Sequence, residues 1–256
     1  MEKVRFVYGE PALACGTTLA VTDLHIGIEQ ELAGKGVRVR SAMDSMQERL
    51  LSLVEQEKAE RLVIIGDVKH TIPNADAAEE LRLKRFLRKL ASKTGLVIIP
   101  GNHDSRLKEL LKWEDFQPYP VGGVAFDGVG YCHGHAWPSE ELAQAEVLVM
   151  GHSHPGIELV DSFGHKTRER AWLVGEVDEK KFLEKYPEGN KKIRVVIMPA
   201  FNPLVGAFPF NKKEDGKLLG PFLKSRTFKL GNAETYMLNG VCLGKLKELK
   251  QALESK

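Results

Sequence analysis

The sequence predicts an α/β fold, and three observations carry that expectation. Five short apolar runs, Thr18–Val21, Leu62–Ile65, Leu96–Ile99, Val147–Met150 and Val195–Met198, have the brevity and β-branching of buried strands rather than helices. Amphipathic stretches separate the first three runs, which gives strand-helix-strand units and hence a parallel sheet at the start of the chain. From about Val121 the pattern changes to shorter extended pieces with Gly-rich turns, the mark of a second sheet, mixed or antiparallel.

Each element has its own warrant. Between the first and second runs, Ser41–Glu57 sets Met43, Met46, Leu50 and Val54 on one helical face with charge on the other. Between the second and third, Asp76–Lys93 has Asp76 and Glu79 at capping-box spacing and Leu83, Phe86, Leu87 and Leu90 along one face. In the second half, residues 180–192 (KKFLEKYPEGNKK) are strongly charged and broken by Pro187 and Gly189, so a surface insertion is expected around 178–192. Leu246, Leu249 and Leu253 predict a closing helix over Leu243–Lys256. No linker divides the 256 residues, and a single domain over 1–256 is expected.

Bulk properties exclude several classes of function. The net charge is only +2, from 37 basic and 35 acidic residues, so no global field draws the chain to nucleic acid or a membrane. Three widely spaced cysteines, Cys15, Cys132 and Cys242, form neither a disulfide framework nor a zinc motif, which suits a reducing cytoplasm. The N-terminus lacks the apolar core of a signal peptide, and no run approaches the roughly 18 apolar residues of a membrane span.

The chemistry lies where the apolar runs end. Asp23-Leu24-His25, Gly66-Asp67-Val68-Lys69-His70, Gly101-Asn102-His103-Asp104 and Gly151-His152-Ser153-His154 each follow such a run, with His133-Gly134-His135 between the last two. Open α/β sheets gather their sites at the carboxyl ends of the strands, so five separate segments are expected to form one site. In Asp23-Leu24-His25 and in His152-Ser153-His154, alternation along an extended strand end would send both side chains to the same side. Carboxylate, imidazole and the neutral carbonyl of Asn102 together suit Mn, Fe, Co, Ni or Zn. A lone histidine or strand-end aspartate is more often structural, and that plain reading is kept for His165 and Asp161.

Asp-x-His, Gly-Asp, Gly-Asn-His-Asp, a later His and then Gly-His-x-His, in this order over Asp23–His154, resemble the calcineurin-like metallophosphoesterase superfamily. The resemblance implies a four-layer αββα sandwich of two mixed sheets with flanking helices, and two divalent metal ions, for which Mn2+ is preferred here. By motif, Asp23, His25, Asp67 and His154 would hold one metal, and Asp67, Asn102, His133 and His152 the other. His103 would be the proton donor, oriented by Asp104 or His70, and His135 would face substrate. Gly66-Asp67-Val68-Lys69-His70 is further similar to the archaeal and bacterial repair-exonuclease branch, in which a histidine three residues after the bridging aspartate assists at the phosphate. The Arg-containing Gly-Asp-x-x-Asp-Arg-Gly of protein phosphatases does not occur.

The expected activity is hydrolysis of phosphodiesters or small phosphate esters, with water activated by the two metals. The alternative is a nuclease acting on DNA or RNA, for which His70 and the basic stretches 35–40 (KGVRVR), 82–93 (RLKRFLRKLASK) and 165–170 (HKTRER) speak. Repair exonucleases continue into a DNA-capping region, whereas only about a hundred residues follow His154 here, which tells against that branch's full architecture. A non-catalytic scaffold is a third reading, disfavoured because every ligand position is filled. The Pro- and Phe-rich stretch Met198–Asn211 is expected either to border the cleft or to pack as a strand connection, with a homodimer contact if its aromatics are exposed.

Overall fold

A computed structural model describes residues 3–70, 77–111, 118–212 and 218–254, apart from the side chains of 77–79. The first sheet contains β1 (Arg5–Phe6), β2 (Leu13–Cys15), β3 (Thr18–Thr22), β4 (Arg61–Ile65) and β5 (Gly95–Ile99), side by side in that order. Its β3, β4 and β5 run parallel, while β1 and β2 are antiparallel additions at the edge. The crossovers carry α1 (Ile28–Gly34), α2 (Met43–Gln56) and α3 (Ala77–Ala91), followed by the short α4 (Leu107–Leu110).

The second sheet uses β6 (Val124–Phe126), β7 (Val129–Cys132), β8 (Val147–Met150), β9 (Pro155–Val160), β10 (Lys166–Glu176), β11 (Arg194–Ile197), β12 (Phe208–Pro209), β13 (Glu234–Met237) and β14 (Cys242–Lys245). Its spatial order is β12-β9-β10-β11-β8-β7-β6, with β13 and β14 attached through β10. Three helices, α5 (Glu179–Lys185), α6 (Gly220–Lys224) and α7 (Leu246–Glu254), complete the chain.

Strand alternation sorts the apolar side chains into three cores and so into four layers. Ala20, Val63, Ile65, Val97 and Ile99 meet Tyr131, Val149, Trp172, Val174 and Val196 between the two sheets. The other face of the first sheet, with Leu19, Val21, Leu62, Ile64 and Ile98, packs against Met46, Leu50 and Leu53 of α2 and Leu83, Phe86 and Leu90 of α3. Each such side chain contributes about 1.5–3 kcal/mol when fully buried, so the helical faces read from the sequence are what bind these helices to the sheet. On the far side, Leu148, Leu173 and Val195 pack against Phe182, Phe222, Leu223 and Leu246. The architecture is the expected sandwich of two mixed sheets with flanking helices.

Three expectations need refinement. The strands extend past the apolar runs at their starts, because Arg61 and Gly95 join the ladder before the hydrophobic residues begin. The closing helix starts only at Leu246, since Cys242–Lys245 is strand paired with β13. The stretch around 178–192, expected as a surface insertion, holds α5, whose Phe182 is buried in the outer core together with Tyr186, the residue that follows the helix. Asp76 and the Glu79 side chain of the expected capping box lie outside the described residues.

Candidate metal centre

The ligand-bearing segments come together because β3, β4 and β5 of one sheet and β7 and β8 of the other all end at one edge of the sandwich. The residues there are held in a costly backbone geometry. Asp23, His25, Asp67, His152 and His154 all have positive φ, between 39° and 68°, and are five of the nine such non-glycine residues among those described. A left-handed conformation at non-glycine residues is uncommon and concentrates where function over-determines the backbone. The paired directions of Asp23 and His25, and of His152 and His154, therefore arise from turns and not from the extended alternation expected.

Two buried carboxylates form the centre, and each has one oxygen pinned by the protein. Asp23 Oδ2 accepts the Thr22 hydroxyl at 2.8 Å and the His152 N–H at 3.1 Å. Its Oδ1 faces His133 Nε2 at 3.1 Å and His154 Nε2 at 3.2 Å. Asp67 Oδ1 accepts the His103 N–H at 2.8 Å, while Oδ2 faces His133 Nε2 at 3.4 Å and His25 Nε2 at 3.5 Å. All described ion pairs of these two aspartates are with histidines. Two carboxylates buried among imidazoles leave a deficit of positive charge that divalent cations fit.

Two groups of donor atoms lie within 4.8 Å of one another: Asp23, His25, Asp67 and His154, and Asp67, His133 and His152. Asp67 is common to both. The first group has the four residues expected for one metal and the second has three of the four expected for the other; the fourth, Asn102, is exposed in the loop beside His103. A third trio, His25, His70 and His103, meets the same distance test.

Electrostatics divides the imidazoles. Burial drives His25 and His152 down to about 4, against the pull of the carboxylates, so both are neutral and keep a lone pair. For His133, burial is outweighed by hydrogen bonds to Asp23 and Asp67, which lift it to about 9. A proton on His133 thus balances part of the charge that a cation would otherwise balance.

Close approach of the segments depends on glycine at two points. A Cβ on Gly66, whose φ is 74°, would lie 2.2 Å from the His133 ring, and one on Gly101 would lie 2.1 Å from Asp67 Oδ1. Neither distance is possible between real atoms, so the two strand ends can meet only with glycine there.

The surroundings contain residues that sequence reasoning missed. His25 Nδ1 contacts His70 Nδ1 at 3.2 Å, and His70 Nε2 bonds to the Glu31 carboxylate on α1. Glu31, held down at about 2 chiefly by Lys35 and then by His70, accepts the His70 Nε2–H. His70 Nδ1 then accepts from His25 Nδ1–H, and this chain leaves the lone pair of His25 on Nε2, the atom facing Asp67. Similarly, His135 Nδ1 contacts His133 Nδ1 at 2.9 Å and so backs a donor residue instead of only facing outward. Asn202 donates to the Leu24 carbonyl at 2.7 Å, fixing the Asp23–His25 turn from the Pro-rich stretch. That stretch both packs and supports the site: Phe201 and Phe210 are buried, and Phe208 is half-buried. Asp104 does not orient His103, because its carboxylate accepts the N–H groups of Val68, Lys69 and Gly101 and locks the two loops together. The His103 ring instead stacks on His70, with centroids 5.2 Å apart and planes at 21°.

A model of the calcineurin-like phosphoesterase family matches residues 16–222, which spans every residue of the centre. The chain belongs to this family. As a member it is a hydrolase acting on phosphate esters, and its Asp and His clusters are the groups that could bind metal. No curated protein matches the sequence. Among solved structures, the nuclease MPE of Pseudomonas putida aligns with a TM-score of 0.57 at 18% identity, covering 92% of this chain and 98% of its own, and so shares the fold. The E. coli phosphoesterase Yfce aligns with a TM-score of 0.41 at 20% identity, covering 89% and 97%.

Proposed function

We propose that the protein is a two-metal phosphodiesterase. The observation that carries this reading is the carboxylate pair, Asp23 and Asp67, each with one oxygen fixed by protein donors and the other turned toward imidazoles. Asp23, His25, Asp67 and His154 would hold one cation, and Asp67, Asn102, His133 and His152 the other, with Mn2+ preferred over Fe, Co, Ni or Zn. Bound there, divalent ions would lower the pKa of a coordinated water and offset charge on the phosphate oxygens.

The protein's own part is positioning and proton transfer. Asp67 fixes the start of the His103 loop through the His103 N–H, and Lys69 Nζ donates to the His103 carbonyl at 2.8 Å. His103, half-buried at the rim, delivers a proton to the leaving oxygen as the ester bond breaks. His70 stacks behind it and, with both ring nitrogens engaged by His25 and Glu31, assists catalysis by orienting its neighbours. The chain acts as one phosphoesterase domain in the cytoplasm, consistent with its three free cysteines. No helix among the described residues is long and apolar enough to cross a membrane.

Hydrolysis of paired p-nitrophenyl phosphate monoester and diester by metal-stripped protein, with and without Mn2+ and beside Asp67→Asn, tests the proposal. Manganese-dependent diester cleavage that Asp67→Asn abolishes is the expected result. Cleavage of the monoester alone would replace the reading with a phosphatase, and no turnover with any divalent ion would favour the scaffold.

A further inference from the structure

The strands β9 and β10 form a hairpin whose position follows from topology. The strand β8 is parallel to β11, β11 is antiparallel to β10, and β10 is antiparallel to β9, so β9 runs in the same direction as β8. It starts at Pro155, directly after His154, and therefore continues outward past the edge where the metal-centre residues lie. Only the second half of β10 pairs with β11 and β13 inside the sheet, whereas Lys166–Arg170 pair solely with β9. The five hairpin pairs, at about 3.3 Å per residue, carry the ribbon roughly 13 Å from first pair to last.

The base of this ribbon is anchored at the centre. His154 O accepts the Phe208 N–H at 2.8 Å, and Arg170 Nη1 donates to the Ala200 carbonyl at 3.2 Å, next to Phe201, whose own N–H reaches Thr22 O. Alternation places Lys166, Arg168 and Arg170 on the face shared with Trp172 and Val174, the side turned toward the space between the sheets. Glu169 falls on the opposite face.

One carboxylate is set among these cations. Glu158, opposite Arg168 and only 4% exposed, lies 3.1 Å from Lys212 Nζ, 3.5 Å from Arg168 Nε and 4.0 Å from Lys166 Nζ. Three positive charges against one negative leave the face cationic, and the Lys166 and Arg168 side chains stay 63% and 56% exposed. At the tip, Asp161 and His165 satisfy one another at 3.2 Å, while Phe163 stands 86% exposed. Cations in a row with a bare aromatic at one end and a phosphoesterase centre at the other match a polyanion carrying flat apolar groups.

We propose that the β9–β10 hairpin is a binding rail for single-stranded nucleic acid, with Lys166, Arg168 and Lys212 against the phosphates, Phe163 stacking on a base, and the strand leading to the metal centre. The proposal rests on the phosphodiesterase reading above and names a substrate class for it.

The test compares the Mn2+-loaded wild type with a Lys166→Gln/Arg168→Gln double variant on a single-stranded oligonucleotide and on bis(p-nitrophenyl) phosphate. Binding of a fluorescent phosphorothioate oligonucleotide is followed alongside by anisotropy. The double variant raises the oligonucleotide KM and Kd about tenfold and makes the slope of log Kd against log salt shallower by about 1.4, from about 0.7 per phosphate contact. Small-diester kinetics stay unchanged. Glu158→Gln, which removes the negative charge from the same face, tightens oligonucleotide binding; weakening there would show that the ion cluster only holds the hairpin together, and would overturn the rail. Equal effects on both substrates, or none on either, would overturn it too. Small-diester cleavage without oligonucleotide binding removes the rail and leaves the phosphodiesterase intact. Oligonucleotide binding that the double variant weakens, in a protein that cleaves no ester, has the reverse meaning.

Discussion

The two sheets contribute unlike chemistry to one edge. The first supplies both carboxylates, Asp23 after β3 and Asp67 after β4, together with His25 and the His103 loop after β5. The second supplies imidazoles alone, His133 after β7 and His152 and His154 after β8. Negative charge thus sits in the parallel part of the first sheet, whose strand ends are fixed by crossover helices, and imidazoles close over it from the other side, with His133 holding a proton against both carboxylates. Charge in the first sheet should therefore decide whether cations bind at all, and the imidazoles of the second should adjust how tightly.

Asp67→Asn gives the largest expected effect, because Asp67 belongs to both donor groups. Activity should fall by at least about a thousandfold, equivalent to about 4 kcal/mol of transition-state stabilisation, and metal analysis should show both ions lost. His152→Ala should lose one ion and keep the other. If His152→Ala emptied the centre as completely as Asp67→Asn, the division between the sheets would be wrong.

His103→Ala comes next, with turnover lowered about a hundredfold to ten-thousandfold as expected for a lost general acid and with metal content kept. Loss of both ions in that variant would place His103 among the ligands, as the His25, His70 and His103 trio also permits. Glu31→Ala, which breaks the chain of hydrogen bonds through His70 to His25, should weaken metal affinity by about tenfold to a hundredfold. Glu31→Gln keeps an acceptor for His70 and should restore most of it; equal loss in both variants would remove the tautomer argument. Thr22→Val should have the smallest effect, about 1 kcal/mol or less from a hydroxyl whose one proton is shared between the Ile65 carbonyl at 2.6 Å and Asp23 Oδ2 at 2.8 Å, read as at most a few-fold rise in the metal dissociation constant.

The sequence exposed the strands well because a buried parallel strand is a near-continuous apolar run, and the runs ending before Asp67 and Asn102 are of that kind. The chemistry was equally visible, since aspartate, asparagine and histidine clustered after such runs have few structural reasons to be there. Boundaries moved because Arg61 and Gly95 pair in the ladder without any hydrophobic signature. Glu31 was hidden for a different reason. In the charged segment Ile28–Gly34 it looks like any glutamate on a solvated helix, and only the approach of α1 to His70 gives it a partner. The turns at Asp23, His25, His152 and His154 were equally hidden, as Asp and His are enriched at positive φ yet adopt it in only a minority of positions. Asp104 was misjudged because its position next to His103 in sequence says nothing of the three backbone N–H groups that its carboxylate meets in the fold.

The most direct test of the two-metal centre is a titration of metal-stripped protein with Mn2+, following bound metal and diester turnover on the same sample. Two equivalents per chain should bind, with turnover rising as the second is taken up. Full turnover after a single equivalent, or two bound equivalents with no turnover of diester, would contradict it.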